Sequence, residues 1–336
     1  MFLNVEDQRN SKTARPHWPS WSLRPIIFPM EPQIIQWLRN RYPLTDVVRV
    51  GIGDDATLLD LSDSPGTVVT TDMLMDGVDF EVDQCGLSRV GRKALAVNLS
   101  DIAAMAARPV AALVSLALPR TADLDYVRSI YEAMEAIASE FGVTIAGGDT
   151  NCWDHPLVVS VTLIGQATTQ GPLLRSGAVP ADEILVTGAF GGSILGHHFD
   201  FQPRVVEALQ LHQEYELHAG MDVSDGLSLD LARMAEASGC GAELDLDLVP
   251  IASAAYELAA RDGVSGLQHA LSDGEDFELI LAVPSETAQR LLSEQPLGVP
   301  LTRVGKFVMG AGLWQRQASG DRIPLAADGY LHGAGP

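Results

Sequence analysis

The chain has 336 residues, 46% of them hydrophobic, which is enough to bury a substantial core in one large or two medium domains. Asp and Glu number 44 against 22 Lys and Arg, a formal charge of -22 that lacks the basic footprint of a nucleic-acid binder and excludes that class. The same charge repels a phosphorylated small molecule unless metal ions stand between it and the carboxylates.

In chain order, residues 1 to 29 mix Pro, Trp and both charges and read as a poorly ordered extension, with Met30 as an alternative start. They contain no continuous apolar h-region with a small-residue cleavage signal, so a secretory peptide is not expected. From "EPQIIQWLRNRY" onward helix and strand patterns alternate. Strands are predicted at "TVVTTDML", "AALVSLAL", "VTIAG" and "LVVSVTLIGQA". Helices are predicted at "GLSRVGRKALAVNLSDIAAMAA" and "ADLDYVRSIYEAMEAIASEFG", the second stopped by Gly142. Residues 30 to 168 thus form one α/β unit. A polar, Gly- and Pro-bearing passage, "TTQGPLLRSGAVPADE", follows, and the domain boundary is expected there.

The second unit, 169 to 336, opens with the strand "ILVTG" and the turn "GAFGGSILG". It continues through helices at "PRVVEALQL" and "LSLDLARMAEAS" and strands at "AELDLDLVP", "FELILAVP" and "TRVGKFV". The fold class is therefore α/β (α+β) with two domains. Three cysteines, Cys85, Cys152 and Cys240, lie far apart with no C-x-x-C pair, so neither a disulfide framework nor a zinc site is expected and a reducing, cytoplasmic setting fits. No run of about 18 apolar residues occurs, and a soluble protein with no membrane partner is expected.

Carboxylates recur at strand ends and on small-residue helices. Asp54 and Asp55 follow the strand-like run at Val50 and a Gly-x-Gly turn, and Asp72 ends "VVTTD" beside the hydroxyls of Thr70 and Thr71. Asp101 shares one face of an alanine-rich helix with Ala94 and Asn98, Asp149 closes "TIAGGDT", and Asp222 and Asp225 flank Ser224. Any one of them reads equally as an N-cap or an Asx-turn residue, and Asp225 or Ser228 would cap the helix near Leu227. Their repetition points to a site for metal ions. An oxygen-only donor set without His or Cys at ligand spacing suits a hard cation such as Mg2+, with phosphate oxygens completing its shell.

Other phosphate signatures are absent. There is no G-x-x-x-x-G-K-[ST] loop and no H-R-D with D-F-G. "GAFGGSILG" lacks a following lysine and reads better as a strand-to-helix turn, whereas "GGDT" at Gly147 to Thr150 would let a ligand approach the backbone closely. Arg175 is one of few cations near these motifs and suits an ATP phosphate or a surface ion pair. His197 and His198 have no nucleophile beside them and read as local structure or solvated side chains; the cysteines read as packing residues.

Taken in order, "GIGDDATLL", "TTDMLMDGVDF", "RKALAVNLSDIAAM", "GGDT", "RSGAVPAD", "VTGAFGGS", "DVSDGLSLDL" and "SDGEDFEL" resemble the thiamine-monophosphate kinase family, in the superfamily of aminoimidazole ribonucleotide synthetase and selenophosphate synthetase. The resemblance implies a two-domain aminoimidazole ribonucleotide synthetase-like fold and a homodimer whose N-terminal sheets join into a barrel. It implies direct transfer of the γ-phosphoryl group of ATP to thiamine monophosphate, by positioning and charge neutralisation. By match to the family's motifs, Asp55, Thr70, Thr71, Asp72, Asp101, Asp149, Asp222 and Asp225 would hold Mg2+, with Asp149 and Asp225 catalytic. Gly148, Asp149, Arg175 and Ser224 would contact ATP, and Asp79, Glu275 and Ala327 would face the acceptor.

The acceptor positions depart from the family. Asp79-Phe80 stands where His-Phe is common, "GGED" reads Asp273-Gly274-Glu275-Asp276, and Ala327 falls at an aromatic position with Tyr330 nearby. The alternatives are a kinase or synthetase of the same superfamily with another acceptor, a metal-dependent phosphohydrolase, and a nonenzymatic nucleotide- or metal-binding relative. No Cys precedes Cys85 and the chain ends "HGAGP", against a selenophosphate synthetase and a hydrogenase-maturation relative respectively.

Overall fold

A computed structural model describes residues 31–52, 58–62 and 64–330. The expected extension at 1 to 29, and Asp54 and Asp55, lie outside the described residues. The first unit runs α1 (Glu31–Arg41), β1 (Val48–Val50), β2 (Leu58–Leu59), β3 (Thr67–Met75), α2 (Val82–Cys85), α3 (Leu87–Ala104), β4 (Arg108–Pro119), α4 (Leu124–Glu140), β5 (Thr144–Trp153) and β6 (Val158–Gln166). Its four-stranded sheet has the order β3-β6-β4-β5, antiparallel except for the parallel pair β4 and β5.

After a passage with no helix or strand come β7 (Glu183–Thr187), α5 (His197–Asp200), α6 (Val205–Glu214), β8 (Ala219–Asp222), α7 (Leu227–Ala237), β9 (Gly241–Leu244), α8 (Ser253–Asp262), α9 (Gly266–Ser272), β10 (Leu279–Val283), α10 (Ser285–Glu294), β11 (Leu301–Val308), β12 (Gly312–Arg316) and β13 (Arg322–Pro324). These strands make a seven-stranded sheet, β13-β12-β9-β11-β7-β10-β8, whose edge strand β8 ends at Asp222.

Local chemistry explains most boundaries. The Asp123 carboxylate caps α4 by accepting the Tyr126 N–H at 2.8 Å, and Gly142 follows the helix at φ +69°. Strands β3 and β6 alternate in burial, so one face packs on helices α3 and α4 while the other stays open. Helix α3 lies close to α4 because Gly91 has no side chain: a Cβ there would stand 2.2 Å from the Ile130 carbonyl oxygen. One apolar core joins the units, running from Leu95, Leu99 and Val161 through Phe199 and Phe201 to Leu279 and Leu281. That shared apolar core packs the two units against each other.

Three expectations need correction. The strand read as "VTIAG" continues to Trp153, so Asp149 sits within β5 and not at its end; Asp72 likewise lies inside β3. The run "AELDLDLVP" is strand only to Leu244 and then turns through a short 3-10 helix at Leu246–Leu248, its Asp residues standing at the turn. No helix among the described residues is long and apolar enough to cross a membrane.

Candidate active site at the junction of the two sheets

Strand alternation sends Thr70 and Asp72 to the α3 side of the sheet and Thr71 to the open side. There the Thr70 hydroxyl donates to Asp101 Oδ2 from α3. Thr71 Oγ1 instead lies 3.2 Å from the Val161 carbonyl oxygen and 3.0 Å from Thr162 Oγ1. From the residue before Asp101 on α3, Ser100 donates to Asp222 Oδ2 at 2.7 Å, tying the end of β8 to the same helix. Thr70, Asp101 and Asp222 line one cavity of ≈ 460 Å³, with Arg175 at its rim.

Electrostatics mark this cluster as unfinished. Burial, then the charges of Asp101 and Asp79, push Asp72 up to about 7, and its Oδ2 is buried without a hydrogen-bond partner. Burial, then Asp101, push Asp222 up to about 8 against the easing effect of Ser100 and Arg175. Asp101 is raised too, by burial, although the Thr70 hydroxyl and Arg175 oppose the shift. Carboxylates held together with so little compensation favour either protons or a bound cation. Their hard oxygen donors, the Thr70 hydroxyl and the orphaned Asp72 oxygen fit a divalent cation of the Mg2+ type. Among the described residues no three carboxylates yet close around one point.

Asp149 stands apart. In register Asp72 lies opposite Val161, Val161 opposite Val114, and Val114 opposite Gly148, so Asp149 is three strands from Asp72. At the usual strand spacing that is about 14 Å, too far for one ion. Asp149 is exposed, its Oδ1 accepts the Thr150 N–H at 2.9 Å, and with Gly148 it lines a separate small cavity under Ile34 and Leu38 of α1.

Beyond Asp222 the chain turns through Ser224 and Asp225 into α7. Neither Asp225 nor Ser228 caps that helix. Asp230, buried on its first turn, reaches back to accept the N–H groups of Ser224, Asp225 and Gly226 at 3.1, 2.8 and 3.2 Å. The Asp225 carboxylate is paired with Arg233, which also holds Asp230 at 2.8 Å. Ser228 instead binds the C-terminal segment, donating to the Asp328 carbonyl at 2.7 Å; this fixes exposed Ala327 one residue earlier, and the Tyr330 N–H donates to the Asp225 carbonyl at 2.8 Å.

The "SDGED" turn lies on the other side of Ser224, whose carbonyl accepts the Glu275 N–H at 2.7 Å. Asp273 and Asp276 accept the N–H groups of Gly192 and Gly191, each at 2.8 Å, so those amides of "GAFGGSILG" serve the turn and not a phosphate. Glu275 reaches Lys93 at 2.7 Å and His198 at 3.0 Å. Lys93 also donates to the Asp79 carbonyl at 3.1 Å, which brings two predicted acceptor positions together. His198 is thus corrected: it is buried against Glu275, not solvated, while His197 Nε2 lies 3.2 Å from the Asp276 carbonyl.

Sequence reasoning missed Lys93, His198, Ser100 and Asp230. A lysine followed by "ALAVNLS" in a helix that must pack closely is a legible sign of a buried cation. Nothing in spacing alone marks Asp230.

Comparison with known proteins gives matches to the AIR synthase related protein N-terminal domain over residues 53–167 and the AIR synthase related protein C-terminal domain over 174–313. A thiamine-monophosphate kinase of Rhodopirellula baltica is 46% identical over 311 residues, covering 90% of this chain and 98% of the relative. The crystal structure of a thiamine-monophosphate kinase from Stenotrophomonas maltophilia superposes with a TM-score of 0.72 at 33% identity, covering 86% of this chain and 96% of that one. A structure of AaThiL complexed with AMPPCP and TMP matches with a TM-score of 0.66 at 26% identity, over 91% of this chain and 96% of that one.

Proposed function

This chain belongs to the thiamine-monophosphate kinase family of AIR synthase related proteins and phosphorylates thiamine monophosphate with ATP, and we propose that it does so at the cavity bordered by Asp101, Asp222 and Arg175. The observation that carries this placement is that Thr70, Asp101 and Asp222, from three separate elements, line one cavity, while burial raises the carboxyls of Asp72, Asp101 and Asp222. Thr70, Asp72, Asp101 and Asp222 would hold Mg2+, which would supply neutralisation of phosphate charge there. Arg175 binds a phosphate oxygen from the cavity rim, Ser224 contacts the nucleotide, and Glu275 with Asp79 orients the acceptor. Asp225, paired with Arg233 in this structure, would be a further metal ligand. The units are two domains divided in the passage between β6 and β7, in a cytoplasmic setting suited to three free thiols.

The acceptor is checked by ADP release from ATP and Mg2+ with and without thiamine monophosphate, the product identified by mass. ADP appearing only with thiamine monophosphate, together with thiamine diphosphate, is the expected result. ADP released at the same rate without acceptor would replace the kinase reading by phosphohydrolysis.

The protein acts as a homodimer. Among the described residues β3 and β5 are the edges of their sheet, and Val69 and Met73 on the open face are 60% and 58% exposed. Joining two sheets covers that face and gives Asp149, remote from the cluster of its own chain, a role in the site of a second copy. Asp149→Ala and Asp222→Asn should each be inactive alone, and mixing them after dissociation should restore about a quarter of wild-type turnover, since half the dimers then carry one intact site. No recovery on mixing, with both variants dimeric by light scattering, would put Asp149 to work within its own chain.

A further inference from the structure

Lys93 is wholly buried on α3, yet it meets three groups from other segments: Glu275 Oε1 at 2.7 Å, the Asp79 carbonyl at 3.1 Å and His198 Nδ1 at 3.0 Å. His198 is 4% exposed, and its Nδ1 lies 3.0 Å from Glu275 Oε2. A carboxylate only accepts, so in the tautomer that bonds Glu275 this nitrogen carries the hydrogen, and its approach to Lys93, itself only a donor, is then a contact and not a hydrogen bond. Each oxygen of Glu275 therefore receives one donor from inside the protein. Each keeps a further lone-pair direction, and the side chain is still 36% exposed. The backbone contributes as well: Glu275 is held at φ +54°, a left-handed conformation that an L residue adopts only when its surroundings impose it.

Tethering of α3 does not need Lys93. Arg92 already donates to the carbonyls of Phe199 and Phe201 at 2.8 and 2.6 Å, and Arg89 pairs with Asp200 at 3.0 Å. A fully desolvated ammonium is costly to keep, and replacing such a cation by an apolar side chain is often neutral or stabilising. Its presence calls for a use beyond packing.

We infer that Lys93 and His198 are positioning residues for the acceptor: they clamp the Glu275 carboxylate from behind so that its remaining lone pairs face the aminopyrimidine amine and the cationic thiazolium of thiamine monophosphate. This rests on the acceptor assigned above. The clamp also fixes the charge state. Burial by itself would raise Glu275, but the His198 hydrogen bond and the Lys93 charge hold it below the usual carboxylate range, keeping it an acceptor for a cationic ligand. Through the Asp79 carbonyl, the same ammonium fixes the Asp79 turn, where the Asp79 carboxylate accepts the Met75 N–H at 2.7 Å.

The test measures KM for thiamine monophosphate and for ATP in Lys93→Met and His198→Leu, each alone and combined with Glu275→Gln. Each single variant should raise KM for thiamine monophosphate roughly tenfold or more, with KM for ATP and kcat within about twofold. In the Glu275→Gln background the same replacements should add little, because the group they act through is already altered. Equal factors with and without Glu275→Gln, or an unchanged KM for thiamine monophosphate in folded single variants, overturns the inference. If Lys93→Met does not fold, His198→Leu carries the same cycle. Wild-type protein that neither binds nor turns over thiamine monophosphate would remove the acceptor assignment and this inference together, whereas normal wild-type turnover with indifferent variants removes the inference alone.

Discussion

Asp222→Asn should lower phosphoryl transfer by about two to three orders of magnitude while making the metal-free protein more stable at pH 8. The two effects have one cause. Asp222 is 2% exposed at the end of β8, and burial together with Asp101 raises it from 3.8 to about 8. A carboxyl whose folded value lies above its unfolded value contributes its full stability when protonated in both states, below about pH 4. That stability is lost progressively as pH rises through the folded value near 8.

Asparagine has the same shape and can still accept from the Ser100 hydroxyl, but it carries no charge to lose that stability. The variant should gain on the order of a few kcal/mol at pH 8 in the presence of EDTA, a rise of about 5 °C or more in Tm, and the gain should shrink as the pH falls toward 4. Added Mg2+ should raise the melting temperature of the wild type and not of the variant, since ligand that binds only the folded state stabilises by mass action. A variant that melts below wild type at pH 8 would mean that Asp222 is compensated in some other way. Turnover retained at saturating Mg2+ would take Asp222 out of the mechanism.

Gly148→Ala should cost about 3 kcal/mol or more and lower Tm by roughly 5 to 10 °C before any ligand is considered. Gly148 has φ +153°, and a Cβ built on it would stand 1.8 Å from the Val114 carbonyl oxygen and 2.9 Å from the Val114 nitrogen. Both are backbone atoms of the paired strand β4, in a ladder that already carries a bulge between Ala112 and Leu113. Neither can swing aside as a side chain would. Relief requires β5 to move away from β4, and Asp149 moves with it, so turnover should fall with stability.

Gly142→Ala provides the contrast. Gly142 also has a positive φ, +69°, but nothing lies within 4 Å of its Cβ direction, and only the conformational cost of about 1 kcal/mol is expected. Equal melting temperatures for the two variants would show that β5 yields easily and that Gly148 is retained for ligand approach alone. The expected difference means that Gly148 is required by the sheet first, a constraint invisible in the string "GGDT".

Hydrophobic period was sufficient to read the strands at Thr67–Met75, Arg108–Pro119 and Val158–Gln166 and the helices at Leu87–Ala104 and Leu124–Glu140, because each buries one face over many residues. It was insufficient at β5, where Gly147, Gly148, Asp149 and Asn151 break the apolar pattern although the ladder to β4 runs on to Trp153. Helices α8 to α10 were not anticipated at all. Helix α9 is only seven residues long, and α8 and α10 bury one and two residues respectively, so none of them carries a long apolar run.

By itself, the sequence determined residue chemistry and the order of the elements: an acidic α/β chain with recurrent carboxylates beside small residues, in an arrangement that matches one family. Which carboxylates act together was decided only in three dimensions. Thr70 and Asp72 reach Asp101 because alternate residues of a strand share a face, and Thr71 does not for the same reason. Asp222 joins them from 122 residues beyond Ser100 because β8 ends against α3, while Asp149, in a motif of the same appearance, is carried three strands away. Lys93, His198 and Glu275 meet across the junction of the two sheets, and no spacing along the chain encodes that meeting. Local sequence fixes the face on which a side chain emerges, but its partners depend on packing between elements, which is set by the whole core.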